Sequence, residues 1–367
     1  MAEREVFVMA RLGDYVIIKT GKLDANASSE NGKYPFFTCA IEPLKIDSYS
    51  YDCECVLVAG NGDLNVKYYN GKFDAYQRTY IIESKNKTIL TVPYLYCFLD
   101  KYVEELRKQS IGGVIKYIKL GNLTEAQIHM RSMNEQNEVV VNINKVNDLI
   151  SLRKQQLSKL DELVKSRFVE LFGDYDLSHV QTDWKAISEI GKVVGGATPK
   201  TNVEEYWNGE YRWITPAELS SDSGYIYDSV RKLTKAGVDS CSLQEMPIDT
   251  VILSSRAPIG KVAIAGNTFY CNQGFKNVIC NKEVLPRYLY TVLLLNTEYL
   301  NSLGRGATFK EISKSIVENI RIPVPPIELQ EQFAAFVEQT DKSKLAIQKS
   351  LDQLETLKKS LMQKYFG

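Results

Sequence analysis

Between residues 139 and 171, ten positions recur at alternating spacings of four and three, and eight of them are apolar. The positions are Val139, Ile143, Val146, Ile150, Arg153, Leu157, Leu160, Val164, Arg167 and Leu171. The same phase returns 194 residues later at Phe333, Val337, Thr340, Lys344, Ile347, Leu351, Leu354, Lys358, Leu361 and Tyr365. A four–three repeat held over more than four heptads, with no interior Gly or Pro, predicts a long helix with a coiled-coil seam. Each helix should span on the order of 50 Å at about 1.5 Å per residue. Both stop at the same signal, Leu171-Phe172-Gly173 and Tyr365-Phe366-Gly367, where glycine suits a C-terminal cap. Two such helices in one chain can satisfy each other's seams. If they pair antiparallel, the domains ahead of them sit at opposite ends of a rod.

The segments before the helices repeat more faintly. Ala126-Gln127-Ile128 answers to Ile320-Arg321-Ile322 at the same offset. Leu12-Gly13-Asp14 with Thr20-Gly21 resembles Ile190-Gly191-Lys192 with Gly195-Gly196. Cys55–Ala59 and Thr250–Leu253 read as strands, and 93–110 and 286–303 as amphipathic helices opened by proline. Prolines 323, 325 and 326 break the chain before the second long helix. Each half is therefore a mixed α/β domain followed by a long helix.

Composition narrows the class. A chain of 367 residues with 44% hydrophobic and 10% aromatic content builds real cores and more than one domain. The longest apolar runs fall short of a membrane span and the N-terminus lacks a signal-peptide pattern, so a soluble cytoplasmic protein is expected. The seven cysteines form no Cys-x-x-Cys pair and lie far from His129 and His179, which argues for reduced thiols over a zinc site. Lys and Arg number 45 and so do Asp and Glu. A neutral chain argues weakly against nucleic acid, yet local basic faces decide affinity.

Familiar catalytic signatures are missing. Gly195-Gly196-Ala197-Thr198-Pro199-Lys200-Thr201 has proline where a phosphate-binding loop needs glycine. Gly60-Asn61-Gly62-Asp63 lacks the third glycine of a dinucleotide loop. The Asn/Asp-Pro-Pro-Tyr run of amino-methyltransferases is absent, Val92-Pro93-Tyr94 coming nearest. Asp74 with Glu83-Ser84-Lys85 could in principle hold Mg²⁺ as a nuclease does, a different-class alternative. A coiled-coil adaptor without a DNA role is the third class.

Amide- and guanidinium-bearing loops point to DNA. Bases are read by such groups at their edges, while lysine, tyrosine and backbone amides fix phosphates. In the first half, Asn61, Asn65, Lys67, Tyr68, Lys72, Tyr76, Gln77 and Arg78 cluster within residues 59–80, where Asn-Gly and Gly-Lys turns would place them at loop tips. Lys116 lies in a second basic-aromatic cluster. In the second half the candidates are Thr198, Lys200, Arg256, Lys261, Asn272, Gln273, Lys276, Arg305, Thr308 and Lys310, all in or beside Gly- and Pro-bearing loops.

The second half resembles, along its whole length, the specificity subunit of type I restriction–modification systems. The run from Trp184 through Ile190-Gly191, Gly196-Ala197-Thr198-Pro199, Tyr206-Trp207-Asn208-Gly209 and Trp213-Ile214-Thr215 carries the likeness. Ser255-Arg256, Ile259-Gly260, Asn272-Gln273-Gly274 and Gly306-Ala307-Thr308-Phe309-Lys310 continue it. Ile322-Pro323-Val324-Pro325-Pro326 with Glu331-Gln332 closes it. The first half is similar to a second subtype through Gly32–Phe37, Ala59–Gly62 and Gly71–Tyr80. Its proline-rich junction is replaced by Ile128–Gln136, in which only Glu-Gln survives.

The resemblance implies an α+β fold of two mixed α/β target-recognition domains separated by two long helices. These form an antiparallel intramolecular coiled coil in a pseudo-twofold repeat. The expected division is 1–132, first recognition domain; 133–173, first spacer helix; 174–327, second domain; and 328–367, second spacer helix. Each domain would read one half of a bipartite duplex site, and the helices would set the gap and dock methyltransferase subunits, two copies being expected. Restriction or translocase subunits would join that core. The resemblance places S-adenosylmethionine, ATP and Mg²⁺ on those partners and no cofactor, metal or catalytic residue on this chain.

Overall fold

In the computed structural model, residues 8–173, 176–219, 224–241, 243–306 and 310–367 are described. The chain divides into two compact units, one of residues 1–157 with 346–367 and one of residues 158–345. The long helices are therefore not separate domains. Their side chains enter the cores: Val139, Ile143 and Met362 in the first unit, Phe168, Phe172, Phe333 and Val337 in the second.

The first unit opens with β1 (Val8–Arg11), the single turn α1 (Leu12–Tyr15) and β2 (Val16–Thr20). Then come β3 (Tyr34–Phe37), β4 (Leu44–Ile46), β5 (Tyr51–Ala59), β6 (Val66–Ala75) and β7 (Thr79–Ser84). These build a sheet in the order β2-β7-β5-β6-β3-β4. The run Cys55–Ala59 is apolar at every position because both faces are covered. Val56 and Val58 point to α2 (Val92–Gln109), whereas Cys55 and Leu57 join Phe37, Phe73 and Ile81 on the other side. Thr91 caps α2 by accepting from the Tyr94 amide at 3.3 Å. After α3 (Leu120–Thr124), strand β8 (Gln127–Met130) pairs with β1 and leads into α4 (Met133–Phe172).

The second unit repeats this plan. Strand β9 (Lys185–Ala186), the turn α5 (Ile187–Ile190) and β10 (Gly191–Gly195) precede β11 (Trp207–Ile214), β12 (Tyr225–Ile226) and β13 (Arg231–Leu233). Helix α6 (Lys235–Ser240) is followed by β14 (Val251–Leu253), β15 (Val262–Ala265), β16 (Tyr270–Cys271) and β17 (Lys276–Cys280). One sheet runs β10-β17-β14-β15-β12 and another β13-β11-β16. Helices α7 (Pro286–Leu295), α8 (Thr297–Ser302) and α9 (Lys314–Glu318) lead to β18 (Arg321–Ile322), which pairs with β9, and to α10 (Ile327–Phe366).

Two expectations change. The helix expected over 286–303 is broken at Asn296, whose side chain bonds the Val292 carbonyl and accepts from the Leu177 amide at 2.9 Å. The correspondence of Leu12-Gly13 with Ile190-Gly191 also shifts by three residues. Leu12 donates to the Ala126 carbonyl as Ile187 donates to that of Ile320, so Leu12 matches Ile187. Thr20-Gly21 and Gly195-Gly196 do correspond. A Cβ on Gly21 would strike the Ala75 carbonyl and one on Gly196 the Cys271 carbonyl.

Along the seam, burial varies. Val139, Ile143, Val146, Phe333, Val337 and Leu351 are buried, and Ile150, Leu157, Leu160, Val164, Leu171, Ile347, Leu354 and Leu361 are half-buried. In the first unit Asn142 meets Tyr365, Arg153 meets Ser350 at 3.2 Å and Lys154 meets Glu355, so the segments run antiparallel. In the second unit Asp161 meets Lys344 and Phe168 meets Phe333, again antiparallel. The polar seam members thus find partners instead of breaking the pattern. Gly173, at φ +86°, and Gly367 return their amides to Val169 and Gln363 at 2.8 and 2.9 Å. No described helix is long and apolar enough to cross a membrane.

Candidate nucleic-acid interface

Each recognition domain is docked on its helix ends by the same three contacts, 194 residues apart. In the first unit, fully buried Gln136 accepts from the Thr91 amide at 2.9 Å and donates to the carbonyls of Ile89 and Arg131 at 2.7 and 2.9 Å. In the second, fully buried Gln330 accepts from the Leu285 amide at 2.8 Å and donates to Glu283 and Pro325 at 3.0 and 2.8 Å. Tyr94 donates to the His129 carbonyl and packs on Phe366, and Tyr288 donates to that of Pro323 and packs on Phe172. The Glu-Gln pair quoted from the proline-rich stretch is thereby corrected: Gln330 matches Gln136, while Glu331 and Gln332 are exposed.

On this shared frame the first unit gathers one loop cluster. Thr20, Gly60, Gln77, Arg78, Tyr80 and Ile118 line a cleft of about 320 Å³. Gly60 donates to the Arg78 carbonyl at 2.8 Å, and a Cβ there would collide with that oxygen. Asn61 bridges to Tyr117, and Gly62 donates to the Lys116 carbonyl at 2.9 Å. Asn61, Gln77, Arg78 and Lys116 are therefore brought together. Gln77 is oriented by Asp24 at 2.7 Å, and Arg78 is exposed. Tyr76 is half-buried beside them, its amide held by Phe37.

Other candidates go elsewhere. Gly71-Lys72 makes no turn, because both lie inside β6 opposite Cys53 and Asp52. Lys72 is exposed there, its ammonium over the Tyr49 ring at 4.7 Å. Tyr68 faces α2 and donates to Glu54 at 2.8 Å, and its phenol is pushed up to about 12 by burial and then by that bond. Asn65 donates to the Cys39 carbonyl at 2.8 Å and accepts from Lys67, whose ammonium is shifted down by burial. Those two serve the fold.

The second unit's cluster is more highly charged. Arg256, Ala257, Pro258, Ile259, Asn301, Lys310 and Glu311 line a cleft of about 560 Å³. The Lys276 ammonium lies 3.2 Å from Glu311 and 3.3 Å from the Ser255 hydroxyl, and Arg256 lies 3.8 Å from Glu311. Glu311, which the sequence did not single out, is the hub that orients both cations. Thr198 donates to Gln273 at 2.6 Å, and Arg305 exchanges both backbone bonds with Glu311. Asn272 folds its own turn by accepting from the Gly274 amide at 2.9 Å. Lys261 is spent on the carbonyls of Pro216 and Leu219, and Lys200 is exposed. Thr308 lies outside the described residues.

The nuclease triplet does not converge. Asp74 is buried, accepting from Ser50 and the Ala75 amide, Glu83 is paired with Lys19 at 2.9 Å, and Lys85 bonds the Gly13 and Asp14 carbonyls. No metal-holding group of side chains occurs among the described residues, and all seven cysteines are free.

Two copies of one docking frame, each presenting its own loops of amides and guanidinium groups, define a duplicated recognition subunit. The model of the type I restriction modification DNA specificity domain matches residues 5–162 and 181–357, and the chain belongs to that family. The EcoDI type I restriction enzyme specificity subunit of Escherichia coli is 25% identical over an alignment covering 97% of this chain and 86% of that protein. The MjaIX specificity subunit of Methanocaldococcus jannaschii is 41% identical over 185 residues, covering 49% of this chain and 43% of that relative's length. The crystal structure of a type I restriction–modification S subunit from M. genitalium superposes with TM-score 0.62, at 17% identity, over 100% of this chain and 98% of the other. A structure from work on assembly and conformational transition of a type I system gives TM-score 0.60 at 16% identity. These likenesses establish the fold.

Proposed function

We propose that this chain is the non-catalytic subunit that gives a type I restriction–modification complex its DNA sequence specificity. Each unit reads one half of a bipartite site. The observation that carries this is the pairing of a repeated frame with unrepeated loops: Gln136 and Gln330 hold their domains alike, while Gln77 and Arg78 are answered by Gln273 and the Arg256–Glu311–Lys276 cluster. A scaffold that is duplicated while its reading groups diverge suits two different half-sites.

Helices α4 and α10 set the gap and dock methyltransferase subunits, two copies being the natural number for a duplicated surface. Exposed apolar residues on the helices support a partner surface: Val141, Leu149, Leu152 and Leu357 in the first unit, Leu163 and Leu345 in the second. S-adenosylmethionine binds those partners, and ATP and Mg²⁺ serve translocating nuclease subunits. Work on chromosomal DNA places the complex in the cytoplasm. The test is to exchange residues 1–132 for another such domain and map methylated adenines by long-read sequencing. One half-site should change and the other persist; alteration of both would overturn the arrangement.

A further inference from the structure

The first unit carries an unusual apolar projection beside its reading cleft. Ile111 and Tyr117 exchange backbone bonds at 3.0 and 2.9 Å and close a short hairpin around Gly112-Gly113-Val114-Ile115-Lys116. Gly112 turns it at φ +117°, with the Ile115 carbonyl so near that a side chain would collide. At its tip Val114 is 103% exposed and Ile115 62% exposed. Among the described residues of the unit, nothing covers Val114 and little covers Ile115.

The hairpin's foot is built on the cleft itself. Gly62 donates to Lys116, Ile118 donates to Gly60, and Gly60 donates to Arg78, all at 2.8–2.9 Å. Exposed cations outnumber carboxylates here: Arg78, Lys116 and Lys119 have no carboxylate partner among the described residues, against Asp24, which holds Gln77, and Asp63, 3.5 Å from Arg107. An apolar tip alone would fit a protein or a lipid. An apolar tip rigidly mounted among unneutralised cations, next to amides that read base edges, fits a polyanion whose interior is apolar, the stacked duplex.

We propose that Val114 and Ile115 form a wedge that enters a base step of the half-site read by the first unit and unstacks it. This rests on the DNA-reading role proposed above. Arg78 and Gln77 would then read edges at a deformed step, so that ease of unstacking contributes to specificity where no base edge is touched. The second unit repeats the foot, Arg305 and Glu311 bonding as Ile111 and Tyr117 do, with Gly306 at φ +124°. At the sequence position answering to Ile115 stands Phe309, outside the described residues.

The test uses the full chain co-purified with its methyltransferase subunits and a duplex bearing the methylated site, 2-aminopurine replacing one base at a time. In the wild-type complex, emission should rise at one step within the first unit's half-site. In the Val114→Ser/Ile115→Ser double variant, that rise should vanish, with affinity about tenfold weaker and emission at the methylated adenine's position unchanged. An unchanged emission profile in the double variant overturns the wedge. So does loss of the methyltransferase subunit from the double variant, which would make the tip a protein contact. A wild-type complex that fails to retain the duplex would instead refute the DNA-reading role.

Discussion

Tyr94 donates its phenolic hydrogen to the carbonyl of His129 at 2.7 Å, tying the start of α2 to the strand that leads into α4. Tyr288 makes the same bond to Pro323 at 3.0 Å. Each phenylalanine replacement, Tyr94→Phe or Tyr288→Phe, removes one hydrogen bond to a backbone carbonyl and should cost about 1 kcal/mol. Urea unfolding of the full chain measures this, and two unshifted midpoints would show the bonds to be incidental.

Gln136 and Gln330 each make three bonds to backbone groups while fully buried. Gln136→Leu or Gln330→Leu should destabilise by about 2–4 kcal/mol, the cost of several unsatisfied buried groups. Gln332→Leu, on an exposed position two residues further on, should stay within about 0.5 kcal/mol. Equal effects at 330 and 332 would refute the docking role.

Arg78→Ala and Arg256→Ala should relax recognition of opposite half-sites. Where either guanidinium contacts a base bidentately, about 1–3 kcal/mol of discrimination is lost. Methylome maps of both variants check this, and normal methylation at the original site in both would withdraw the assignments.

Removing one heptad from each long helix, 150–156 and 347–353, preserves seam phase and shortens each by about 10 Å. The tolerated gap between half-sites should contract, or methylation should cease. Retention of the original spacing would show that the helices do not set it.

Burial pushes the thiols of Cys97, Cys271 and Cys280 up to about 12. At pH 8 only about one molecule in 10⁴ then carries each thiolate. Iodoacetamide should spare these three in the folded chain and modify them in urea, as read by peptide mass spectrometry. Because the unfolded chain releases those protons near pH 8.5 while the folded one holds them, stability should also fall as pH rises above that value.

The sequence by itself determined the long helices, their seam phase, their glycine caps and the duplication. Heptad spacing and left-handed caps are local rules, written in neighbouring residues. It also exposed the DNA-reading family through runs such as Gly196-Ala197-Thr198-Pro199 and Asn272-Gln273-Gly274. Only the tertiary structure decided which polar residues read and which hold the fold. Lys67, Lys72 and Arg78 look alike in a string, yet β6 pairing keeps the first two on a strand while the β6–β7 turn delivers Arg78 to the cleft. Glu311 and Gln330 gain their roles from partners 35 or more residues away, brought near by the fold of the whole unit. Long-range pairing has no local periodicity to betray it, and there the reading of the chain alone stops.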